Sequence, residues 1–272
     1  MNKKDIFVST IKGIITGIAT LIPGVNTAAI ILSVSAYDSI IESIHNISKK
    51  NNKVLLFVTI PFIVGLFLGL IGGFHLIDYL WSKFRPQTIL LVVGLVVGGI
   101  RVVFVKHKLP FNKKTVSLFI IMSTLFVVLY YLLKDVVILS KTNTISNIII
   151  LGIITGFSVL IPGTSLFTLK VKDNYNYMID LCGNLTNFSN VISLFVFCFV
   201  SLIIIILISK TIYKLIDNNK KVTYLVLCSL MLVSIVISLL QLNSFKFSFV
   251  TVFTSILAFL WGYIFSKNVE RE

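Results

Sequence analysis

The sequence predicts an all-α integral membrane protein with an inverted-topology repeat, in which each half contributes one re-entrant hairpin and three transmembrane helices. Three observations lead to this prediction. The 272 residues are 57% hydrophobic and only 12% charged, with a mean hydropathy of +1.01, whereas soluble domains carry about 25% charged residues. Long apolar runs recur along the chain, and one twelve-residue segment occurs in two near-identical copies.

Six apolar runs are long enough to form membrane-spanning helices, which need about 20 residues each. They lie near residues 54–74, 88–105, 115–134, 190–209, 222–242 and 248–266. Together with the short loops between them they account for most of the chain, so we expect no separate soluble domain.

Two further apolar regions, residues 9–36 and 147–169, are each interrupted in the middle by Pro-Gly. Proline removes a backbone donor and blocks a helix, and glycine permits the turn that follows. A backbone that is broken at membrane depth must be buried in protein or line a wet cavity. We therefore predict that both regions are re-entrant hairpins that turn at Pro-Gly. The alternative is a kinked helix that crosses the membrane.

The distribution of Lys and Arg predicts the orientation. The formal net charge is +14, from 24 Lys and Arg against 10 Asp and Glu. If both hairpins are re-entrant, 16 of the cations lie on one face and 7 on the other, with Lys12 inside the first hairpin. The richer face should be cytoplasmic, which places both termini inside. These loop cations suit anionic lipid headgroups, and the absence of a basic soluble module argues against nucleic acid as a partner.

The repeated segment reads GIITGIATLIPG at residues 13–24 and GIITGFSVLIPG at residues 152–163, identical at nine of twelve positions with an offset of 139. The same offset carries the three apolar runs of the first half onto those of the second. Because three crossings is an odd number, the second copy must enter from the opposite face, as in many secondary transporters. We predict a first repeat over residues 1–140 and a second over residues 141–272.

The candidate binding site surrounds the two Pro-Gly turns. Free backbone N–H groups at helix N-termini, with small polar side chains beside them, suit a phosphate or a carboxylate, and a nearby cation can pair with such an anion. The candidate substrate-binding residues are Lys12, Pro23, Gly24, Val25, Asn26, Thr27, Arg101, Pro162, Gly163, Thr164 and Ser165. Two alternatives stay open: Asn, Thr and Ser also cap helices, and the two cations can snorkel to the headgroups.

Patterns typical of catalysis or metal binding do not occur. The acidic residues show no paired spacing, there is neither a Ser/His/Asp order nor HExxH, and the histidines and cysteines are isolated. We expect a protein that is not an enzyme and needs no metal or cofactor. The sequence indicates no coupling ion, because Asp38, Asp78 and Asp180 would lie inside a helix only if the predicted boundaries moved by a turn.

The segment LIPGVNTAAIILSVSAYDSIIESI, residues 21–44, resembles the first signature of the bacterial undecaprenyl-phosphate translocases of the PopT type. In that signature Pro-Gly-Val is followed by Ser-Gly-Gly-Thr and, further on, by Gly-x-Tyr and a charged residue. A second signature reads Leu-Pro-Gly-[Ile/Val]-Ser-Gly-Ser. The positions that match the two signatures are Pro23, Gly24, Val25, Tyr37, Asp38, Leu160, Pro162, Gly163 and Ser165.

The chain departs from the family at the residues after the first turn, where Asn26-Thr27-Ala28-Ala29 stand in place of Ser-Gly-Gly-Thr. The resemblance therefore implies a divergent member. It implies a flippase that returns the lipid carrier undecaprenyl phosphate from the outer to the inner leaflet of the bacterial cytoplasmic membrane, for reuse in cell-wall synthesis. Two alternatives are a transporter of another anionic or phosphorylated lipid or solute, and a non-transporting accessory membrane subunit. The sequence does not indicate the oligomeric state.

Overall fold

The structure, a computed structural model, describes residues 3–22, 25–46, 53–110, 112–133, 145–163, 188–242, 245 and 248–269. Every regular element within these ranges is a helix. The α-helices are α1 Lys3–Thr20, α2 Thr27–Ser33, α3 Tyr37–His45, α4 Ile60–Lys83, α5 Arg85–Lys106, α6 Lys113–Leu133, α7 Ile145–Leu160, α8 Phe188–Leu240 and α9 Phe249–Val269. A π-helix, Leu55–Thr59, leads directly into α4. The predicted all-α class is confirmed.

Several of the described helices are suited to cross a membrane. Four are long and apolar enough, over Leu55–Gly73, Arg85–Lys106, Phe188–Leu240 and Phe249–Asn268, and the bent pair of α2 and α3 would make a fifth. Their large apolar side chains often face outward, as Ile71 does at 75% exposure and Trp261 at 74%. An apolar exterior of this kind requires lipid around it, and the chain is a multi-pass membrane protein.

The runs predicted near residues 190–209 and 222–242 both fall within α8, which is not one straight rod. Asn219 has non-helical backbone angles of φ −150° and ψ 69°. The Thr223 hydroxyl donates to the Leu215 carbonyl at 2.9 Å, although eight residues of straight helix span about 12 Å. The chain therefore bends sharply at Asn219, and α8 consists of two arms, α8a before it and α8b after it.

The first interrupted region is longer than the predicted range of 9–36. Helix α1 already begins at Lys3, because a polar residue such as Lys4 is tolerated in an exposed first turn. After the break the chain forms α2 and α3, which are bent by 109° from each other, and α3 continues to His45. The sequence pattern ended too early because α3 carries polar residues, Asp38 and Glu42 among them.

Glycines bring pairs of helices into backbone contact. In α1, a Cβ on Gly13 would lie 2.1 Å from the Phe62 oxygen of α4, and a Cβ on Gly17 would lie 2.2 Å from the Leu66 oxygen. Residues further along α1 contact residues further along α4, so the two helices run parallel. Small residues at such an interface are typical of helices that pack within membranes, where close van der Waals contact drives association.

Helices α5 and α9 form a second parallel pair. A Cβ on Gly94 would lie 2.1 Å from the Phe259 oxygen. At one end of the pair Gln87 Nε2 donates to Thr254 Oγ1 at 3.0 Å.

Helix α2 lies in the core, packed against α1, α5 and α7. Its residues Ala28 to Ser33 are each at most 3% exposed. On the far side, the Ser266 hydroxyl of α9 donates to the Ser33 carbonyl at 2.9 Å. Helix α2 of the first interrupted region therefore lies at the centre of the protein.

Candidate functional site

The chain after the first break starts α2 at a capped, buried N-terminus. Asn26 is 2% exposed and is the N-cap of this helix. Its Oδ1 accepts a hydrogen bond from the Ala29 N–H at 3.2 Å. Asn26 thus has the capping role that the sequence left as an alternative. Val25 and Thr27 beside it are partly buried, and Pro23 and Gly24 lie outside the described residues.

The end of α7, where the second Pro-Gly turn begins, lies against the first interrupted region. The Tyr37 hydroxyl of α3 donates to the Leu160 carbonyl, the last in α7, at 2.7 Å in a buried position. Pro162 and Gly163 are buried as well. Gly163 has a φ of +83°, a region that favours glycine, and its N–H donates to Ser234 Oγ of α8b at 3.0 Å. Thr164 and Ser165 lie outside the described residues.

The two candidate cations lie on the outer parts of their helices. Arg101 of α5 is exposed, and its Nη1 donates to the Tyr263 hydroxyl of α9 at 2.7 Å. Lys12 of α1 is partly exposed. Arg101 is therefore held at the protein surface by Tyr263.

A second polar group, which sequence reasoning did not assemble, joins α3, α5 and α8b. We call it the Asp38 cluster: Asp38, Lys106, His107 and Tyr224. Asp38 Oδ2 lies 2.7 Å from Lys106 Nζ and 3.5 Å from His107 Nε2. The Tyr224 hydroxyl donates a hydrogen bond to Asp38 Oδ1. The His107 and Tyr224 rings stack with centroids 3.5 Å apart. Two hydrogen-bond donors, Lys106 and Tyr224, and the His107 ring thus converge on one carboxylate.

The members of the Asp38 cluster differ in exposure. The Asp38 and Lys106 side chains are 31% and 38% exposed, and that of His107 is 4% exposed. Burial lowers the pKa of His107 to about 4, helped by the positive charges of Lys106 and Lys220 and opposed by the Asp38 carboxylate. His107 is therefore neutral at pH 7, and the two exposed side chains carry the cluster's charges.

Part of this cluster was visible in the sequence. Tyr37 and Asp38 are the residues that match the Gly-x-Tyr-plus-charge element of the family signature. The predicted hairpin ended just before them, so Asp38 was assigned to a loop. Lys106 contributed only to the charge count, and Tyr224 lay inside an apolar run. Nothing local connects these positions, which lie on three separate helices.

Ser35, between α2 and α3, stands where the family signature has glycine, and its φ is 55°. This left-handed region costs a non-glycine residue about 1–2 kcal/mol. We expect Ser35→Gly to leave the melting temperature in detergent nearly unchanged, because relief of strain offsets the greater freedom of glycine in the unfolded chain. Ser35→Val should destabilise by about 1–3 kcal/mol. Ser117→Val on the exposed face of α6 is the control, and equal melting of the two valine variants would contradict the expectation.

Comparison with known proteins shows that the first part of the chain is similar to a family. A family model described as VCA0040-like, undecaprenyl phosphate translocase-like, matches residues 1–117. These residues comprise α1 to α5 and the start of α6, with Asp38, Lys106 and His107 among them. No curated protein and no solved structure matches the chain. The family resemblance found in the sequence is confirmed over these residues, and the second signature, at Leu160 to Ser165, lies outside the match.

Proposed function

We propose that this chain, a divergent member of the undecaprenyl phosphate translocase-like family by the match over its residues 1–117, is a transporter that moves undecaprenyl phosphate from the outer to the inner leaflet of a bacterial cytoplasmic membrane. It would return the carrier to cell-wall polymer synthesis without acting as an enzyme. The observation that carries the proposal is the buried Tyr37–Leu160 hydrogen bond, which joins the two interrupted regions.

Physical chemistry explains why this meeting point suits a phosphate lipid. A bare phosphate in hydrocarbon is far too costly, so its headgroup needs a polar passage while the isoprenyl tail stays among the lipids. Helix ends at membrane depth provide such a passage, because their backbone groups are not all used within the helix. The buried N-terminus of α2 is a helix end with N–H groups of this kind, whereas the end of α7 presents carbonyl oxygens, which accept hydrogen bonds.

Equivalent helix packing in the two halves supports the inverted repeat. Gly13 and Gly17 of α1 lie against α4, and their counterparts 139 residues later, Gly152 and Gly156 of α7, lie against α8a. The second pair also runs parallel, since Gly152 lies near Val200 and Gly156 near Ile204.

A contact between the two halves also has a counterpart in which each residue is replaced by the equivalent residue of the other half. The Arg85 guanidinium lies 5.3 Å from the centre of the Phe245 ring. With the offset of 139, Arg85 corresponds to Tyr224 and Phe245 to Lys106. Tyr224 in turn stacks on His107, the neighbour of Lys106. Reciprocal contacts of this kind are what a pseudo-two-fold axis between inverted repeats requires.

The path of the first interrupted region supports re-entry. Helix α1 contacts the π-helix at the start of α4 and runs parallel to α4 away from it. After the break and the bend, Ser43 near the end of α3 forms a hydrogen bond with Thr59 of the π-helix. The chain thus returns to the level at which it started. On the positive-inside rule that level is the cytoplasmic face, with both termini inside.

The test is translocation by the purified protein in vesicles that carry undecaprenyl phosphate in both leaflets. A membrane-impermeant phosphatase reaches only the outer leaflet, so about half of the phosphate should remain protected in protein-free vesicles. We expect the protein to make nearly all of it accessible. Protection of half the phosphate in the presence of folded protein would contradict the proposal.

The same vesicles separate the alternatives. The altered residues Asn26 to Ala29 favour a shifted headgroup preference, so a panel of other phosphorylated lipids should be compared with undecaprenyl phosphate. Translocation of another lipid alone would identify a different substrate. Inactivity with the whole panel would favour an accessory subunit.

A further inference from the structure

We propose that the Asp38 cluster is a phosphate-binding site in which the Asp38 carboxylate occupies the place of the substrate's phosphate until the substrate displaces it. The ligand class is a phosphate monoester, and this choice rests on the proposed function. The site would hold the headgroup through Lys106, Tyr224 and His107.

The donors around Asp38 are those that a phosphate needs. An ammonium at 2.7 Å, a tyrosine hydroxyl and an imidazole nitrogen at 3.5 Å converge on the two carboxylate oxygens. Carboxylates and phosphates both accept charge-assisted hydrogen bonds from such groups. A phosphate monoester carries close to two negative charges at neutral pH, so it competes well with a single carboxylate for the same lysine.

The construction of the cluster allows an exchange of ligands. Tyr224, 1% exposed, and the His107 side chain, 4% exposed, form a stacked and buried floor. Asp38 and Lys106 lie above this floor and are about one third exposed. Lys220 adds a second positive charge near His107. If Asp38 withdraws, the charges that remain around the floor are positive, and they attract an anion.

The position of the cluster suggests which step of transport it serves. Lys106 ends α5, and Tyr224 follows the bend at Asn219. Both segments belong to the face that the charge distribution predicts to be cytoplasmic. The cluster also combines residues of both halves of the chain, so a movement of the halves against each other would open or close it. The headgroup would therefore bind here before it leaves to the inner leaflet.

Binding to the full-length protein in nanodiscs tests this proposal, with undecaprenyl phosphate, undecaprenol and inorganic phosphate as probes. Removing the internal competitor with Asp38→Ala should tighten binding of undecaprenyl phosphate by about tenfold. Lys106→Gln should weaken it by a similar factor, and undecaprenol binding should not change in either variant. Glu42→Ala on the exposed side of α3 and Lys114→Gln on α6 are the matched controls and should bind like the unmodified protein.

Other results of these binding experiments would overturn either this inference or the proposed function. Weaker binding in Asp38→Ala, with the same loss in the nearly isosteric Asp38→Asn, would show that Asp38 only supports the structure and would overturn the proposal. Tighter binding of inorganic phosphate but not of the lipid would overturn the assignment of a lipid headgroup. If the unmodified protein translocates the lipid but Asp38→Ala binds it unchanged, this inference fails and the proposed function stands. If the variants shift binding as expected but no translocation occurs, the proposed function fails instead.

Discussion

Replacing Gly13 with alanine is expected to destabilise the protein severely, although alanine favours helices over glycine by about 1 kcal/mol. The new Cβ would lie 2.1 Å from the Phe62 carbonyl oxygen and 2.8 Å from the Leu66 nitrogen. Both are backbone atoms, which no change of rotamer can move aside. The helices α1 and α4 would have to separate along the interface that Gly17, Gly65 and Gly69 also form. Overpacking typically costs about 1–3 kcal/mol, and we expect the upper end of this range or more.

The repeat provides a matched control for this substitution. Gly152 is the counterpart of Gly13, but a Cβ there would lie 3.0 Å from the Val200 Cβ and 3.1 Å from the Phe197 carbonyl oxygen, so the neighbouring helix has to give way much less than at Gly13. We expect Gly152→Ala to lower the melting temperature clearly less than Gly13→Ala does. Gly72→Ala, with nothing within 4 Å of the new Cβ, should be neutral or slightly stabilising. Monodispersity and thermal melting in detergent measure all three, and equal melting of Gly13→Ala and Gly152→Ala would show that the close approach of α1 to α4 does not limit stability.

The sequence predicted the helices well because length and hydrophobicity are local properties. The described residues of all six predicted runs lie in helices or within two residues of a helix end, and the break in each Pro-Gly region follows from the chemistry of proline and glycine. The predicted ends of the helices were less accurate. Helix α3 was missed because its polar residues, among them Asp38 and Ser43, have buried partners that only the fold supplies. When the partners of a polar residue are unknown, the sequence pattern assigns that residue to a loop even if it lies in a helix.

In the candidate site, too, contacts between residues close in sequence could be predicted, and contacts between distant residues could not. The N-cap role of Asn26 is local, since its partner Ala29 is three residues away, and the sequence included it among the alternatives. The Asp38 cluster depends on Tyr224, which lies 186 residues from Asp38. No periodicity or spacing reports a contact over such a separation. Only the match to the family signature at Tyr37 and Asp38 singled out this part of the chain.

Tyr37→Phe is expected to slow translocation about tenfold while the protein remains folded. The substitution keeps the ring in its buried position but removes the hydroxyl that donates to the Leu160 carbonyl. That carbonyl ends α7, where helix carbonyls have no partner within the helix, and a buried acceptor left without a donor costs about 1–3 kcal/mol. The lost bond joins the two interrupted regions, so the cost falls on the arrangement that the proposed function requires. A coupling of this size corresponds to about 5- to 150-fold in a rate or an equilibrium.

The phosphatase-accessibility assay measures this effect as the rate at which protected undecaprenyl phosphate becomes accessible. Tyr79→Phe removes a hydroxyl from a side chain of α4 that is 56% exposed, so it should translocate at the unmodified rate. A melting temperature within a few degrees of the unmodified protein would establish that Tyr37→Phe is folded. If Tyr37→Phe is folded and as fast as Tyr79→Phe, the hydrogen bond between the interrupted regions contributes packing only, and the transport path must be sought elsewhere in the protein.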